Sequence, residues 1–125
     1  MAGASPSSRK LNPVLQALAA ELVRVANKSC PARKKWTHAY LDVRYDSDGG
    51  SVMKLRVVPA RGREIDPEDT TPPIDTAAAK LGRLRTKRGA NKWYGVRVTV
   101  TPAGEWRADY NQDPDGAMKL LIYDE

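Results

Sequence analysis

Near the start of the chain, apolar residues recur at steps of three and four positions, which is the spacing of one face of an α-helix. This spacing predicts an amphipathic helix over about residues 13–28. Asn12 suits the N-cap, and Pro13 suits the first helical position, where a missing N–H costs nothing. The predicted apolar stripe consists of Leu11, Val14, Leu15, Leu18, Leu22 and Val25.

The same period returns within residues 74–89 and predicts a second helix. Asp75 or Thr76 can cap its N-terminus, and Gly89 can end it. Gly82 weakens this helix slightly, because glycine loses more conformational freedom than other residues in a helix interior. The predicted apolar stripe of the second helix consists of Ile74, Ala77, Ala78, Leu81 and Leu84.

Strict alternation of apolar and polar residues predicts two β-hairpins. In the first, a strand that begins at Trp36 is joined to residues 51–58 by a turn rich in aspartate and glycine. The second hairpin joins residues 93–100 to residues 105–110 through the turn residues 101–104. The residues predicted to share a face are Ala39, Leu41, Val43 and Tyr45; Met53, Leu55 and Val57; Val96, Val98 and Val100; and Trp106, Ala108 and Tyr110, while His38, Tyr40, Asp42 and Arg44 point the other way.

The remaining segments complete the predicted organisation. Residues 1–10 are small, polar and basic, which predicts a disordered lead-in before a single domain over residues 11–125. Residues 59–73 hold four prolines and predict an irregular connector with a short strand at residues 63–65. Residues 117–125 fit either a strand or a short helix. The predicted fold class is α+β, with an antiparallel sheet of four or more strands built from two hairpins and both helices packed against it.

The charge of the chain is +6, and it is unevenly distributed. Residues 1–62 hold 11 Lys and Arg against 4 Asp and Glu, whereas residues 63–125 hold 10 against 11. Such asymmetry indicates a charged partner surface. The single cysteine, Cys30, excludes an intramolecular disulfide and suits a reducing compartment. Because the chain has no apolar run that could form a signal-peptide core or span a membrane, we expect a cytoplasmic protein without a membrane partner.

Residues 106–116 place acidic and amide side chains at alternate positions before a glycine, which raises the question of a cation-binding loop. A calcium loop of the EF-hand type needs oxygen ligands at positions one, three and five, a glycine at six and a glutamate at twelve. A loop that starts at Asn111 matches the first half of this pattern, but its twelfth residue is Ile122, which cannot bind a cation. We therefore expect a polar turn that leaves a strand, with no metal and no other cofactor.

The sequence does not favour an enzyme. His38 is the only histidine, so a Ser/His/Asp or Cys/His arrangement would have to include it, yet the alternation places it on the outward side of a strand. Cys30 lies in a basic stretch that could activate a thiolate, but a lone cysteine is more often structural. Nothing points to a pair of carboxylates of the glycosidase kind. We predict a protein without catalytic residues.

Nucleic-acid binding is the alternative function. Residues 32–36 and 82–93 are basic clusters that each end in a tryptophan. Their cations could neutralise phosphates while Trp36 or Trp93 stacks on bases. Positive charge at the end of a helix is also favoured by the helix dipole, and the chain carries no recognised nucleic-acid motif. The candidate phosphate-binding residues are Arg83, Arg85, Lys87, Arg88 and Lys92.

The order of the predicted elements carries a resemblance to a known family. A leading helix is followed by a proline-containing break, a strand opened by Trp36, the hairpin LDVRYDSDGGSVMKLRVV, a second helix, and the hairpin KWYGVRVTVTPAGEWRADYN with acidic residues beyond it. This order resembles the YezG-like family of bacterial antitoxins, which act as immunity proteins against polymorphic toxins. The resemblance covers about residues 11–116, and Asp109, Tyr110 and Asn111 correspond to the aromatic and acidic end of the family pattern.

The resemblance implies an immunity protein that binds a cognate toxin domain, often a nuclease used in bacterial competition, and occludes its active site without chemistry of its own. A basic chain departs from the acidic charge expected of a nuclease inhibitor. Either residues 105–125, with six Asp and Glu against two Lys and Arg, face the toxin, or the toxin is not a nuclease and presents an acidic surface. The candidate toxin-binding residues are Trp106, Asp109, Tyr110, Asn111, Asp113 and Asp115, and the two aromatic residues among them are either interface anchors or core members.

Overall fold

A computed structural model describes residues 8–30, 35–45, 51–67, 70–85 and 93–111. The elements are helix α1 (Ser8–Ser29), strands β1 (Trp36–Tyr45) and β2 (Ser51–Pro59), helix α2 (Pro72–Arg85), and strands β3 (Gly95–Val100) and β4 (Trp106–Asn111). The strands form one antiparallel sheet in the order β2-β1-β3-β4. The predicted α+β fold is therefore confirmed, while the predicted turn at residues 46–50, the helix stop at Gly89 and the segment at residues 117–125 lie outside the described residues.

The core lies between the two helices and one face of the sheet, here called the helix face. Both predicted helix stripes point into it, and the alternation of each strand sends every second residue there. Trp36, which precedes the register shift in β1, also lies in this core. The other core residues of the strands are Ala39, Leu41, Val43, Tyr45, Leu55, Val57, Val96, Val98 and Val100, with Met53, Trp106, Ala108 and Tyr110 packed against them. These are the residues that the alternation grouped together, so the predicted faces are confirmed.

Strand β1 is the centre of the sheet, because the two hairpins join through it. It pairs with its own hairpin partner β2 on one side and with β3 of the second hairpin on the other. Leu41, for example, lies opposite Leu55 and also opposite Val98. Of the ten residues of β1, seven are buried, which is the burial expected of a strand with neighbours on both edges and side chains covered on both faces.

Helix α1 begins earlier than the sequence suggested. It starts at Ser8, so the prediction of Asn12 as the N-cap and Pro13 as the first helical residue was wrong, and residues 8–10 belong to the helix and not to a lead-in. Pro13 lies inside the helix, where it removes the N–H that would bond the carbonyl of Arg9. Since Pro13 is on the exposed side, water can hydrate that carbonyl instead.

Helix α2 also begins before its predicted cap. The N–H of Asp75 donates to the carbonyl of Thr71 at 2.9 Å, which makes Thr71 the N-cap and Pro72 the first helical residue. Asp75 therefore lies in the first turn, where a negative charge suits the helix dipole, and the prediction that Asp75 or Thr76 caps the helix was wrong.

Gly82 has a packing role that its helix propensity does not reveal. A Cβ atom at this position would lie 2.8 Å from a ring carbon of Tyr45, which is closer than atoms of this kind approach. The ring is held in place, because its hydroxyl donates to the carbonyl of Ala78 at 2.7 Å and its edge meets Trp93 at 5.5 Å between centroids. The glycine thus allows α2 to lie against the end of β1.

The connector after β2 turns back onto the sheet. Ile65 and Val57 exchange backbone hydrogen bonds of 2.7 and 2.9 Å, which confirms a short extended segment within residues 63–65 as a single bridge. Gly62 has φ +98°, a conformation that favours glycine, and it lies in the bend that makes the return possible. The bend leaves Arg61 and Arg63 exposed.

Glu21 links the two helices. Its carboxylate accepts hydrogen bonds from Arg24 at 2.7 and 2.9 Å and from the hydroxyl of Thr71 at 2.6 Å. The bonds from Arg24 lower the pKa of Glu21 most; burial opposes them, while the bond from Thr71 and the charge of Arg24 add to the lowering, and the result is a pKa of about 2. The ionised carboxylate is therefore more stable in the folded chain than in the unfolded one.

Because the folded pKa of Glu21 lies below its ordinary value of 4.5, its contribution to stability is fully present above that value and is lost as the pH falls toward 2. We expect Glu21→Gln to lower the free energy of unfolding by about 1–2 kcal/mol at neutral pH, a discounted figure because Arg24 is exposed to solvent. The difference from the unmodified chain should shrink toward acid in urea unfolding curves. Arg24→Gln should reproduce most of the effect, and a difference that stays constant across the pH range would contradict the assignment.

Candidate functional site

The face of the sheet opposite the core carries mostly polar side chains, and we call it the polar face. Because side chains alternate along each strand, the pairing register decides which residues belong to it. The polar side chains of this face are His38, Tyr40, Asp42 and Arg44 from β1, Lys54 and Arg56 from β2, Arg97 and Thr99 from β3, and Arg107, Asp109 and Asn111 from β4. Among the described strands, the polar face thus brings together more polar and charged side chains than the helix face does.

One row of the polar face alternates in charge across all four strands. Lys54 lies opposite Asp42, Asp42 opposite Arg97, and Arg97 opposite Asp109. We call these four residues the charge row. Opposite charges at facing positions stabilise a sheet, whereas a shift of β3 or β4 by two residues would break the alternation.

The centre of the charge row is a bidentate ion pair. The Nε and Nη2 atoms of Arg97 donate to the two carboxylate oxygens of Asp42 at 2.6 and 2.8 Å. The side chain of Asp42 is 0% exposed and that of Arg97 is 31% exposed. A carboxylate with no access to water must be paired, so this geometry fixes both side chains.

Tyr40 and the returning connector extend this fixed network. The guanidinium of Arg97 lies 4.2 Å from the centre of the Tyr40 ring, a cation–π contact, and the hydroxyl of Tyr40 donates to Glu64 at 3.0 Å. Arg56, in the neighbouring position on β2, forms an ion pair with Asp66 at 3.4 Å. The ring of Tyr40 is thus covered, and the polar face near β2 is held by contacts between distant parts of the chain.

His38 lies at the edge of the polar face and has no catalytic neighbour among the described residues. Its Nδ1 is 3.0 Å from the hydroxyl of Thr37, which itself donates to the carbonyl of Val58 at 3.2 Å. Its ring stacks at 6.4 Å on that of Tyr40. Cys30 is buried in the core, away from this arrangement. Within the described ranges, no group of three His, Cys, Asp or Glu side chains could hold a metal ion.

The structure divides the candidate toxin-binding residues between the two faces of β4. Trp106 and Tyr110 lie on the helix face, where Tyr110 meets Trp93 at 5.0 Å between ring centroids, and burial raises the pKa of Tyr110 to about 12. Asp109 and Asn111 lie on the polar face. Asp113 and Asp115 lie outside the described residues. The aromatic and acidic members of the set are therefore not one contiguous patch within the described part of β4.

Asp109 is partly neutralised by its neighbours. It pairs with Arg107 on the same strand at 3.0 Å and lies opposite Arg97 on β3. The Arg107 and Asp109 side chains are 74% and 53% exposed, so this pair is screened by solvent. The described part of β4 therefore carries no concentration of negative charge.

The structure separates the two basic clusters of the sequence. Gly82 lies beside Tyr45 at one end of β1, so the exposed Arg83 belongs to that end, whereas Lys35 precedes the other end. The ten residues of β1 place these ends about 30 Å apart. Arg85 is the last residue of α2, its side chain lies outside the description, and Lys87, Arg88 and Lys92 lie outside the described residues.

A cluster of cations that the sequence did not reveal forms at the start of β1, and we call it the basic end. The N–H of Ala60 donates to the carbonyl of Lys35 at 2.8 Å, which brings Lys35 next to the bend after β2. Trp36 donates to the side chain of Asn27 at 2.9 Å and so brings in the end of α1. The exposed cations of the basic end are Lys28, Lys35, Arg61 and Arg63.

Comparisons with known proteins do not place the chain in a family. No family model matches it, and no curated protein matches it. Neither helix, over the residues described, is both long and apolar enough to cross a membrane.

The two aspartates of the polar face allow a matched test of the charge row. We expect Asp42→Ala to lower the free energy of unfolding by about 3 kcal/mol, because it breaks a buried ion pair and leaves the charge of Arg97 on a largely covered site. Asp109→Ala removes an exposed carboxylate that also pairs with arginine, and it should cost less than about 1 kcal/mol. Urea unfolding of both variants measures the difference, and equal losses would show that burial of the pair is not what stabilises this face.

Proposed function

We propose that the chain is an immunity protein, which binds a cognate toxin domain in the cytoplasm and blocks its active site without catalysing a reaction. The order of elements, helix, hairpin, helix, hairpin, is the order on which the resemblance to YezG-like antitoxins depends. A small α+β domain of this kind can present a sheet face and its ends to a protein partner while the helices supply the core.

The observation that carries the proposal is the fixed polar face. Asp42, Arg97, Tyr40 and Glu64 hold one another through bonds of 2.6–3.0 Å and a cation–π contact, so the surface is ordered before any partner arrives. An ordered surface loses little entropy on binding, and arginine and tyrosine are enriched among residues that dominate protein interfaces. A mixed-charge surface of this kind supports recognition of a protein more than recognition of a small molecule.

The acidic residues that follow β4 in the sequence are the reason for choosing one border of the polar face as the contact surface. Asp109 and Asn111 lie at the end of β4 on the polar face, and Asp113 and Asp115 come next in the chain. We propose that this border of the polar face meets the cationic active-site region of the toxin, where complementary charge speeds association and fixes orientation. Trp106 and Tyr110 support the strand from the helix face.

The test takes as its partner any polymorphic-toxin domain encoded in the reading frame next to that of this chain. We expect the double variant Asp113→Lys with Asp115→Lys to bind the domain at least about tenfold more weakly in a calorimetric titration. It should also fail to protect cells that express the toxin. Glu105→Lys is the control, since it is an exposed charge reversal at the opposite end of β4 and should leave affinity unchanged.

Two results would count against the proposal in different ways. Unchanged affinity of the double variant would exclude Asp113 and Asp115 from the contact surface while leaving toxin binding intact. Failure of the unmodified chain to bind the neighbouring toxin domain, or the absence of such a neighbour, would remove the immunity function itself.

The basic end supports a second candidate function, nucleic-acid binding. Three segments that adjoin there carry four exposed cations, Lys28, Lys35, Arg61 and Arg63. The carboxylates of Glu64 and Asp66 in the same connector are engaged by Tyr40 and Arg56. Clustered cations whose neighbouring anions are already engaged suit a phosphate backbone. This cluster replaces the end of α2 as the described surface that best fits the alternative.

Salt-dependent binding separates the two functions. Under the second candidate, the chain should bind a single-stranded oligonucleotide with an affinity that falls steeply as salt rises. Lys35→Glu with Arg61→Glu should then weaken binding and reduce the salt dependence, whereas Arg83→Glu with Arg85→Glu, at the far end of β1, should have little effect. Filter binding that detects no complex at low salt would exclude this candidate.

A further inference from the structure

Strand β4 forms one border of the sheet among the described strands. The hydrogen bonds of the turn before it determine which residues of β4 bond to β3 and which direct their backbone groups outward. The N–H of Thr101 donates to the carbonyl of Glu105, and the N–H of Gly104 donates to the carbonyl of Thr101, where Gly104 has φ +90°. Backbone groups of an antiparallel strand point alternately to its two sides. Arg107 and Asp109 therefore bond toward β3, while Trp106, Ala108 and Tyr110 direct their N–H and C=O groups outward.

The sequence of β4 is complementary to itself about Ala108. An antiparallel copy centred on that residue would place Ala108 opposite Ala108, Arg107 opposite Asp109, and Trp106 opposite Tyr110. The residues whose backbone groups point outward are the ones that would exchange hydrogen bonds in this register. A second chain in this one register would thus supply both the backbone hydrogen bonds of the edge and complementary side-chain partners.

Both faces of the sheet would continue across this junction. On the polar face, the charge row ends with Asp109, and the next position would be filled by the Arg107 of the second copy, which extends the alternation of sign. On the helix face, Trp106 and Tyr110 are only partly buried, and each would gain an aromatic neighbour. Edge strands that avoid association usually carry charges that repel a copy, whereas the Arg107 and Asp109 pattern attracts one.

We propose that two copies of the chain pair through β4, antiparallel and centred on Ala108, to form a continuous eight-stranded sheet. The two-fold axis passes beside Ala108 and runs perpendicular to the sheet, so each contact occurs twice, as in an isologous dimer. The interface is short compared with the roughly 1,600 Å² typical of stable complexes, so the dimer is weak and depends on concentration. This pairing goes beyond the proposed toxin binding and needs no toxin for its test.

Sedimentation velocity on the full chain provides the test. The apparent mass of the unmodified chain should rise toward twice the monomer mass as its concentration increases to about 1 mM. Arg107→Glu should place two acidic residues opposite each other, and Asp109→Lys two basic ones, and each should raise the dissociation constant by about tenfold or more. Lys80→Glu, an exposed charge reversal on α2, should leave association unchanged.

A mixture of the two variants gives the sharpest result. In a mixed pair, the glutamate introduced by Arg107→Glu in one chain would face the lysine introduced by Asp109→Lys in the other. The unchanged Asp109 of the first chain would face the unchanged Arg107 of the second, so both contacts become attractive. Equal amounts of the two variant chains should therefore associate although neither does so alone. Circular dichroism of each variant verifies that the fold is retained.

Other occupants of the β4 edge would give different outcomes, and each would overturn the proposal. A chain that stays monomeric at every concentration, with the Ala108 amide protected from hydrogen exchange at high dilution, would show that the edge is covered within the same chain. A monomer with an unprotected Ala108 amide would leave the edge to a different protein. Association that persists in both charge variants would place the dimer interface elsewhere.

Discussion

The buried ion pair between Asp42 and Arg97 constrains the rest of the sheet. A carboxylate that water cannot reach needs a cation at a fixed distance, and here the cation comes from a strand 55 residues further along the chain. A slip of β3 by one residue would turn Arg97 to the core, and a slip by two would separate it from Asp42. The pair therefore joins the two hairpins in one register, and the burial of Leu41 against Val98 on the helix face depends on the same register.

The same constraint makes the polar face ordered. Arg97 cannot rotate away from Asp42 without exposing a buried charge, so its guanidinium stays over Tyr40, and Tyr40 in turn holds Glu64 of the connector. Order is transmitted from the centre of the sheet toward β2, where the connector is also tied by the bridge between Val57 and Ile65. Toward β4, by contrast, the charges of Arg107 and Asp109 are exposed and only weakly held.

Much of this fold follows from local patterns in the sequence. Alternation identified the helix face of every strand, and it also implied that Trp106 and Tyr110 point away from Asp109 and Asn111. The features that the sequence could not supply depend on pairing between distant segments. Asp42 looked like an ordinary outward-facing aspartate because Arg97, which buries it, is not a sequence neighbour. The basic end was hidden for a similar reason, since the segment of Arg61 comes next to Lys35 only when β2 pairs with β1. The helix starts were misplaced for two reasons. Pro13, which usually marks a first helical position, lies inside α1 on its exposed side. Asp75 suits the first turn of a helix as well as its cap.

The proposed pairing through β4 determines how the polar faces of two copies are arranged. A two-fold axis perpendicular to the sheet leaves the polar faces of two paired copies on the same side, so the proposed dimer presents a single surface of double width with the two β4 strands along its centre. A partner that lies flat on the polar face is compatible with this arrangement, and it could contact both copies at once. A partner that instead adds a strand to β4 competes with the second copy for the same backbone groups. The concentration dependence of partner binding therefore distinguishes a face-bound complex from an edge-bound one, because only the edge-bound complex is opposed by self-association.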